Sequence, residues 1–312
     1  MESLFMAAGL VVPMMMYMLV GYFIRRAGIL ADADFKKLNS MIFKILIPLS
    51  VFFELYQCDL QTAAQPRLFA MVAAGIFLVW VVCWCIVPRL TGERRDAATI
   101  VQGIYRSNYV LFGTAIGLSL CGKQGAAVTA ALVVVTIPLF NALAVILFET
   151  ARSSTADPKQ LLIGILKNPL IWGVAAGSAC NLFRVPLPEL LASPLEKLGS
   201  TASPLALVVL GGMLSLQSIS GHKKYLTGAV LGRLVIVPLL MLSVFALCGY
   251  RGPELVAILA VFGSPAAVSS TPMAQAMGGN GKLAGEIVAV SSVCSILSLF
   301  FFVVVLVQMG LI

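Results

Sequence analysis

The sequence predicts an all-α membrane protein of ten transmembrane helices, built as two inverted five-helix repeats. Three observations predict it: long apolar runs, charges gathered between those runs, and a likeness between the two halves of the chain. Of 312 residues, 60% are hydrophobic and 11% charged, whereas a soluble domain carries roughly 25% charged residues. The charges cluster at Arg25-Arg26, Lys36-Lys37, Glu93 to Asp96 and Lys223-Lys224, between apolar runs of roughly 18 to 25 residues.

The runs lie at approximately 5–24, 38–57, 68–87, 98–120, 126–148, 161–183, 199–217, 225–248, 255–277 and 285–309. Each is long enough to span a bilayer with some tilt. The first has no basic residue before it and no cleavage site after it, so it reads as a retained helix and not a signal peptide.

The formal charge of +8 is first a topology signal, and nucleic acid is not an expected partner. Thirteen basic residues fall in alternate connections: Arg25, Arg26, Lys36, Lys37, Arg89, Arg94, Arg95, Arg152, Lys159, Lys167, Lys223, Lys224 and Lys282. The opposite side has five, Arg67, Lys123, Arg184, Lys197 and Arg251. The positive-inside rule then places the first group in the cytoplasm and both termini outside. Lys44, Arg106 and Arg233 remain within spans.

Six of the seven cysteines lie in or at the ends of apolar runs, Cys58 follows one, and the single histidine, His222, is in a connection. No ligand set can be assembled from them, so no metal, cofactor or disulfide is expected.

Laying residue n over residue n+156 pairs Pro13 with Pro169, Gly21 with Gly177, Pro48 with Pro204, Gly122 with Gly278 and Gly125 with Gly281. The boundary falls between 1–156 and 157–312. Five spans in each half force the second copy to enter the membrane inverted.

Span nine contains Ser264-Pro265, and Pro265 has no N–H and clashes with the carbonyl of Val261, so the helix breaks there. Ser264 reads as an N-cap and Pro265 as the first residue of a new half-helix. Asn108 is the equivalent residue in span four, preceded by Arg106-Ser107 and followed by Gly113. Both breaks lie about 15 Å from a span end, the middle of a ~30 Å hydrocarbon core. Two half-helix N-termini meeting there would attract a carboxylate or similar anion.

Arg106, within a turn of the break, is the leading counterion for substrate charge; an interhelical or snorkelling arginine is the other reading. Ser269, Ser270 and Thr271 offer hydroxyls to a substrate or an ion, or only to carbonyls of their own helix. Lys44, Pro48, Pro204 and Arg233 are supporting candidates, with snorkelling (Lys44) and packing kinks (Pro48, Pro204) as their structural alternatives. The glycine segments 122–125 and 278–281 read as tight turns. Glu54, Asp59, Glu149, Glu254 and Glu286 sit mostly near span ends, so a sodium-binding carboxylate at depth has little support, and a proton travelling with a weak-acid substrate remains open.

Gly21-Tyr-Phe-Ile-Arg-Arg-Ala-Gly28, Leu38-Asn39 followed by Pro48, Asn168-Pro169, Ser203-Pro204-Leu205-Ala206-Leu207 leading to Gly211-Gly212, and Ser264-Pro265 together resemble bacterial members of the auxin efflux carrier family. That family is related in fold to the bile acid and sodium symporters, and the resemblance runs over essentially the whole chain. It implies crossed helices four and nine, a scaffold and a mobile transport part, and movement of carboxylates such as malonate, malate or indole acids. Asn108, Gly113, Ser264 and Pro265 match the family pattern. The proline that family members commonly carry in span four is missing here, where Ala115 follows Gly113-Thr114.

The expected function is a secondary transporter of a small organic anion working by alternating access in the lipid bilayer, and not an enzyme. A channel is the alternative and an intramembrane enzyme a third reading. A homodimer is compatible with the sequence.

Overall fold

The computed structural model describes residues 2–57, 65–152, 163, 166–213 and 223–312. Cys58, Asp59, Lys159, His222 and parts of the sixth and seventh predicted spans lie outside the described residues. Those described are helical almost throughout and include no β-strand; an antiparallel bridge joins Ser107 to Ala266. The helices are α1 (Glu2–Arg26), α2 (Asp32–Tyr56), α3 (Pro66–Leu90), α4 (Arg94–Tyr105), α5 (Tyr109–Arg152) and α6 (Pro169–Leu182). They continue as α7 (Glu189–Ser200), α8 (Ala202–Met213), α9 (Lys223–Leu247), α10 (Gly252–Gly263), α11 (Ser270–Ala276) and α12 (Gly281–Gln308).

Among the described residues, α2, α3, Ala115–Arg152 of α5, α9 and α12 are long and apolar enough to cross a membrane. Their outer faces carry exposed apolar side chains such as Phe77, Leu78, Leu239, Leu297 and Phe301. A contiguous surface of that kind is stable against lipid, where each helix satisfies its own backbone.

Two helices widen into a π turn immediately before a proline: Ile42–Leu46 ahead of Pro48 in α2, and Gly232–Ile236 ahead of Pro238 in α9. A proline has no N–H for the carbonyl four residues back, and the looser turn accommodates that loss. Helix α5 is interrupted at Cys121 and Gly122, where Gly122 has φ +59°. A left-handed φ suits glycine, and the chain reverses there: Tyr109 Oη, before the turn, donates to the carbonyl oxygen of Thr129 beyond it at 2.5 Å.

Helix α1 packs along α8, and α2 along α6. A methyl group on Gly21 would stand 1.8 Å from the Val208 carbonyl oxygen, and one on Gly177 would stand 2.5 Å from that of Phe52. Such small-residue crossings let backbones touch where lipid supplies no hydrophobic drive between helices.

Two local expectations are corrected. The predicted span 199–217 begins as a separate helix, α7, that ends at Ser200 and carries Pro194, Glu196 and Lys197, before α8 starts at Ala202. Ser264 is not an N-cap. It ends α10 in an extended conformation (φ −65°, ψ 152°), because the ring of the following proline excludes the helical region, and its Oγ donates back to Ala260 O at 2.5 Å. The next helix, α11, begins at Ser270.

Candidate functional site

The break in span four is present without a proline. Helix α4 ends at Tyr105, Arg106 is extended (φ −90°, ψ 110°), and α5 starts at Tyr109. Within an apolar interior the freed backbone groups need partners. They find them in the other break: Asn108 N donates to Pro265 O at 2.8 Å, and Ala267 N donates to Arg106 O at 3.2 Å. Ala266 N donates to Ser291 Oγ on α12 at 3.2 Å.

Arg233, fully buried on the π turn of α9, braces the same crossing. Its Nε donates to Ser264 O (2.8 Å) and its Nη2 to Val261 O (2.9 Å), while Nη1 reaches Ile104 O (2.9 Å) and Tyr105 O (3.1 Å). These are terminal carbonyls of α4 and α10, which have no intrahelical donor and carry the negative end of the helix dipole. A guanidinium supplies several donors and a positive charge to both ends at once.

Arg106 is also buried, 4% exposed, but its partners are different. Nη2 donates to Asn141 Oδ1 at 2.8 Å and Nη1 to Met273 Sδ at 2.9 Å. Among the described residues the ion pairs are Arg25 with Asp32 and Arg152 with Glu149, so no carboxylate stands within ion-pair distance of Arg106. Its charge opens on a cavity of about 370 Å³ bounded by the second half of α2, the break, both limbs of α5, α7 and the start of α8. Asn108 Nδ2 and Ser107 Oγ, both on residues lining this cavity, are buried with no protein hydrogen-bond partner.

Of the residues predicted from sequence, Arg106, Asn108, Ser269 and Pro204 line the cavity together. Gly113 packs on the ring of Tyr109, Ser264 and Pro265 form the floor of the crossing, and Ser270 is buried behind Ser269, all four off the cavity wall. Lys44 is exposed on the outer face of α2, Pro48 lies against Gly173 of α6, and Arg233 is committed to carbonyls. Polar wall residues missed from the sequence include Ser50, Glu54, Ser107 and Asn141. Asn141 was visible as an amide inside an apolar run, an expensive place for one. Ser50 and Glu54 stand four residues apart, one helical turn, and are bonded at 2.8 Å.

The membrane transport protein family matches residues 6–303 of the chain. An uncharacterized transporter of Methanothermobacter thermautotrophicus is 22% identical over 300 residues, covering 95% of this chain and 97% of that protein. With nearly its whole length matched, and with apolar helices and a buried crossing of two broken ones, the chain belongs to the membrane transport protein family of auxin efflux carriers and is an integral membrane transporter.

Proposed function

We propose that this transporter carries a small organic anion, a mono- or dicarboxylate, by alternating access. The observation that carries the reading is Arg106: a buried guanidinium with, among the described residues, no carboxylate at ion-pair distance, lining a cavity beside Asn108 Nδ2 and Ser107 Oγ, which have no hydrogen-bond partner among those residues. A buried cation is costly unless something of opposite charge compensates it, and a substrate carboxylate is the compensating group. The first-turn residues Tyr109, Val110 and Leu111 of α5 also line the cavity, and first-turn N–H groups lack intrahelical acceptors, which favours an anion further. A volume of 370 Å³ is at the small end of the roughly 300–1,000 Å³ typical of ligand pockets.

In this reading the chain crosses the membrane ten times as two inverted repeats, 1–156 and 157–312. Support comes from the glycine contacts. Adding 156 to Gly21 gives Gly177, and subtracting 156 from Val208 gives Phe52, so the α1–α8 and α2–α6 contacts correspond under the offset that a repeat requires. Asn108 and Ser264 differ by the same 156. With both termini outside a bacterial inner membrane, the cavity end marked by Gln57 and Glu196 faces outward, and movement of one part against the other would expose Arg106 to the inside.

The test is uptake into proteoliposomes of radiolabelled malonate, malate, succinate and indole-3-acetate, with amino acid and cation controls. Saturable uptake or counterflow of a carboxylate is expected. Transport of a cation or neutral solute with no carboxylate carried or competing would refute the anion, and a unitary conductance would replace the carrier with a channel.

A further inference from the structure

The cavity holds a second ionisable group that the anion reading does not use. Glu54, half-buried near the end of α2, shares the cavity wall with Arg106. The two charges are within coulombic reach of one another without forming an ion pair. Ser50 Oγ donates to Glu54 Oε1 at 2.8 Å and holds the carboxyl in place. Of the titratable groups on the elements packed against this half of α2, Arg106, Tyr109 and Glu196 line the cavity with it, and the Tyr109 hydroxyl is bonded to Thr129 O. Cys180 on α6 and Glu189 and Lys197 on α7 are not on the cavity wall.

We propose that Glu54 couples protons to anion movement, taking up a proton when the anion occupies Arg106 and releasing it when the anion leaves. The inference rests on the anion reading above. An anion on Arg106 brings a second carboxylate into a confined, poorly solvated space beside Glu54, and two like charges sharing such a site do not both stay ionised. The substrate carboxylate is held by the guanidinium, so the proton goes to Glu54: an O–H bond forms at Oε2, the oxygen not engaged by Ser50, as a water-borne proton is consumed. Departure of the anion reverses the step, returning the proton to water on the side then open. Glu54 is again an anion near Arg106, whose charge is no longer matched by substrate. The empty carrier therefore moves with one bound proton fewer than the loaded one.

The linkage has a definite sign. If loading binds a proton, anion affinity is higher at low pH and falls as pH rises, by up to about tenfold per pH unit. The experiment measures malonate binding to purified protein from about pH 7 to about pH 9, where malonate itself stays ionised, with a pH dye in weak buffer reporting proton uptake. Wild-type protein is expected to take up protons on binding and to lose affinity with rising pH. Glu54→Gln is expected to bind malonate with no proton uptake and a flat pH profile, and to give counterflow that a pH gradient does not drive. If Glu54→Gln fails to fold, Glu54→Asp is expected to retain proton uptake with a displaced pH midpoint. Wild-type binding without proton uptake, a pH slope that survives in Glu54→Gln, or an unmoved midpoint in Glu54→Asp overturns the assignment while leaving the anion reading intact. A wild-type protein that binds no carboxylate of the panel overturns both.

Discussion

The amide of Asn108 donates to the carbonyl oxygen of Pro265 across 2.8 Å, so the break in one crossing helix is closed by the break in the other. Neither gap could persist alone in an apolar interior, where each unpaired backbone group costs on the order of several kcal/mol. The crossing is a joint unit: two extended segments paired with each other, Arg233 on the carbonyl ends, and Arg106 left over to face the cavity.

Arg233 should therefore matter for folding. Hydrogen bonds to a charged group contribute about 1.5–3 kcal/mol each, and their loss here strands buried carbonyls. Arg233→Met is expected to destabilise the protein by at least about 3 kcal/mol, with Arg233→Lys, which keeps the charge and fewer donors, intermediate. Lys44→Met, on the exposed face of α2, should stay within about 0.5 kcal/mol. Thermal unfolding in detergent, followed by size-exclusion chromatography, measures all three. An Arg233→Met midpoint equal to that of Lys44→Met would remove the brace from the account.

The glycine crossings predict a graded steric effect. Gly21→Ala forces a methyl group to 1.8 Å from the Val208 carbonyl oxygen, and Gly177→Ala forces one to 2.5 Å from that of Phe52. Overpacking of this kind costs roughly 1–3 kcal/mol, more at Gly21 than at Gly177. Gly92→Ala meets nothing within 4 Å and should melt like wild type. If Gly21→Ala and Gly92→Ala melt alike, α1 and α8 are not in contact at these residues.

The positions of α2, α3, the later part of α5, α9 and α12 were readable because an apolar run long enough to cross lipid needs no tertiary information. The break at Pro265 was readable for a similar reason, since a proline acts on its own helix. The break at Arg106 to Asn108 has no such local cause: it is held by main-chain bonds to 265–267, and a pairing across more than a hundred residues leaves only a faint mark in either segment. Ser264 was misread because a serine before a proline fits an N-cap pattern, while the proline's restriction on the residue before it in fact ends the preceding helix. Helix α7 was hidden by Pro194, Glu196 and Lys197, which lower its apolar signal. Glu54 looked peripheral by distance from a span end, but the cavity reaches from the crossing out to Gln57, and cavity depth is a property of the packed helices.

Asn108 supplies a test of the ligand's sign. Its residue lines the cavity, and its Nδ2 is a buried donor with no hydrogen-bond partner among the described residues. Asn108→Ala removes one neutral hydrogen bond, about 0.5–1.5 kcal/mol, or roughly 2- to 10-fold in anion affinity. Asn108→Asp puts a carboxylate beside Arg106 and should weaken binding far more than alanine does. Tighter binding by the aspartate variant, measured by competition against labelled malonate, would indicate a cationic ligand.

The central claim is that Arg106 holds the substrate's negative charge, and equilibrium binding of labelled malonate and its panel to wild-type protein and Arg106→Gln tests it most directly. Loss of charge-assisted bonds worth about 1.5–3 kcal/mol predicts a fall in affinity of roughly 10- to 150-fold, with the variant still eluting as a monodisperse, folded protein. Unchanged affinity in a folded Arg106→Gln would contradict the account and return Arg106 to a purely structural partner of Asn141 and Met273.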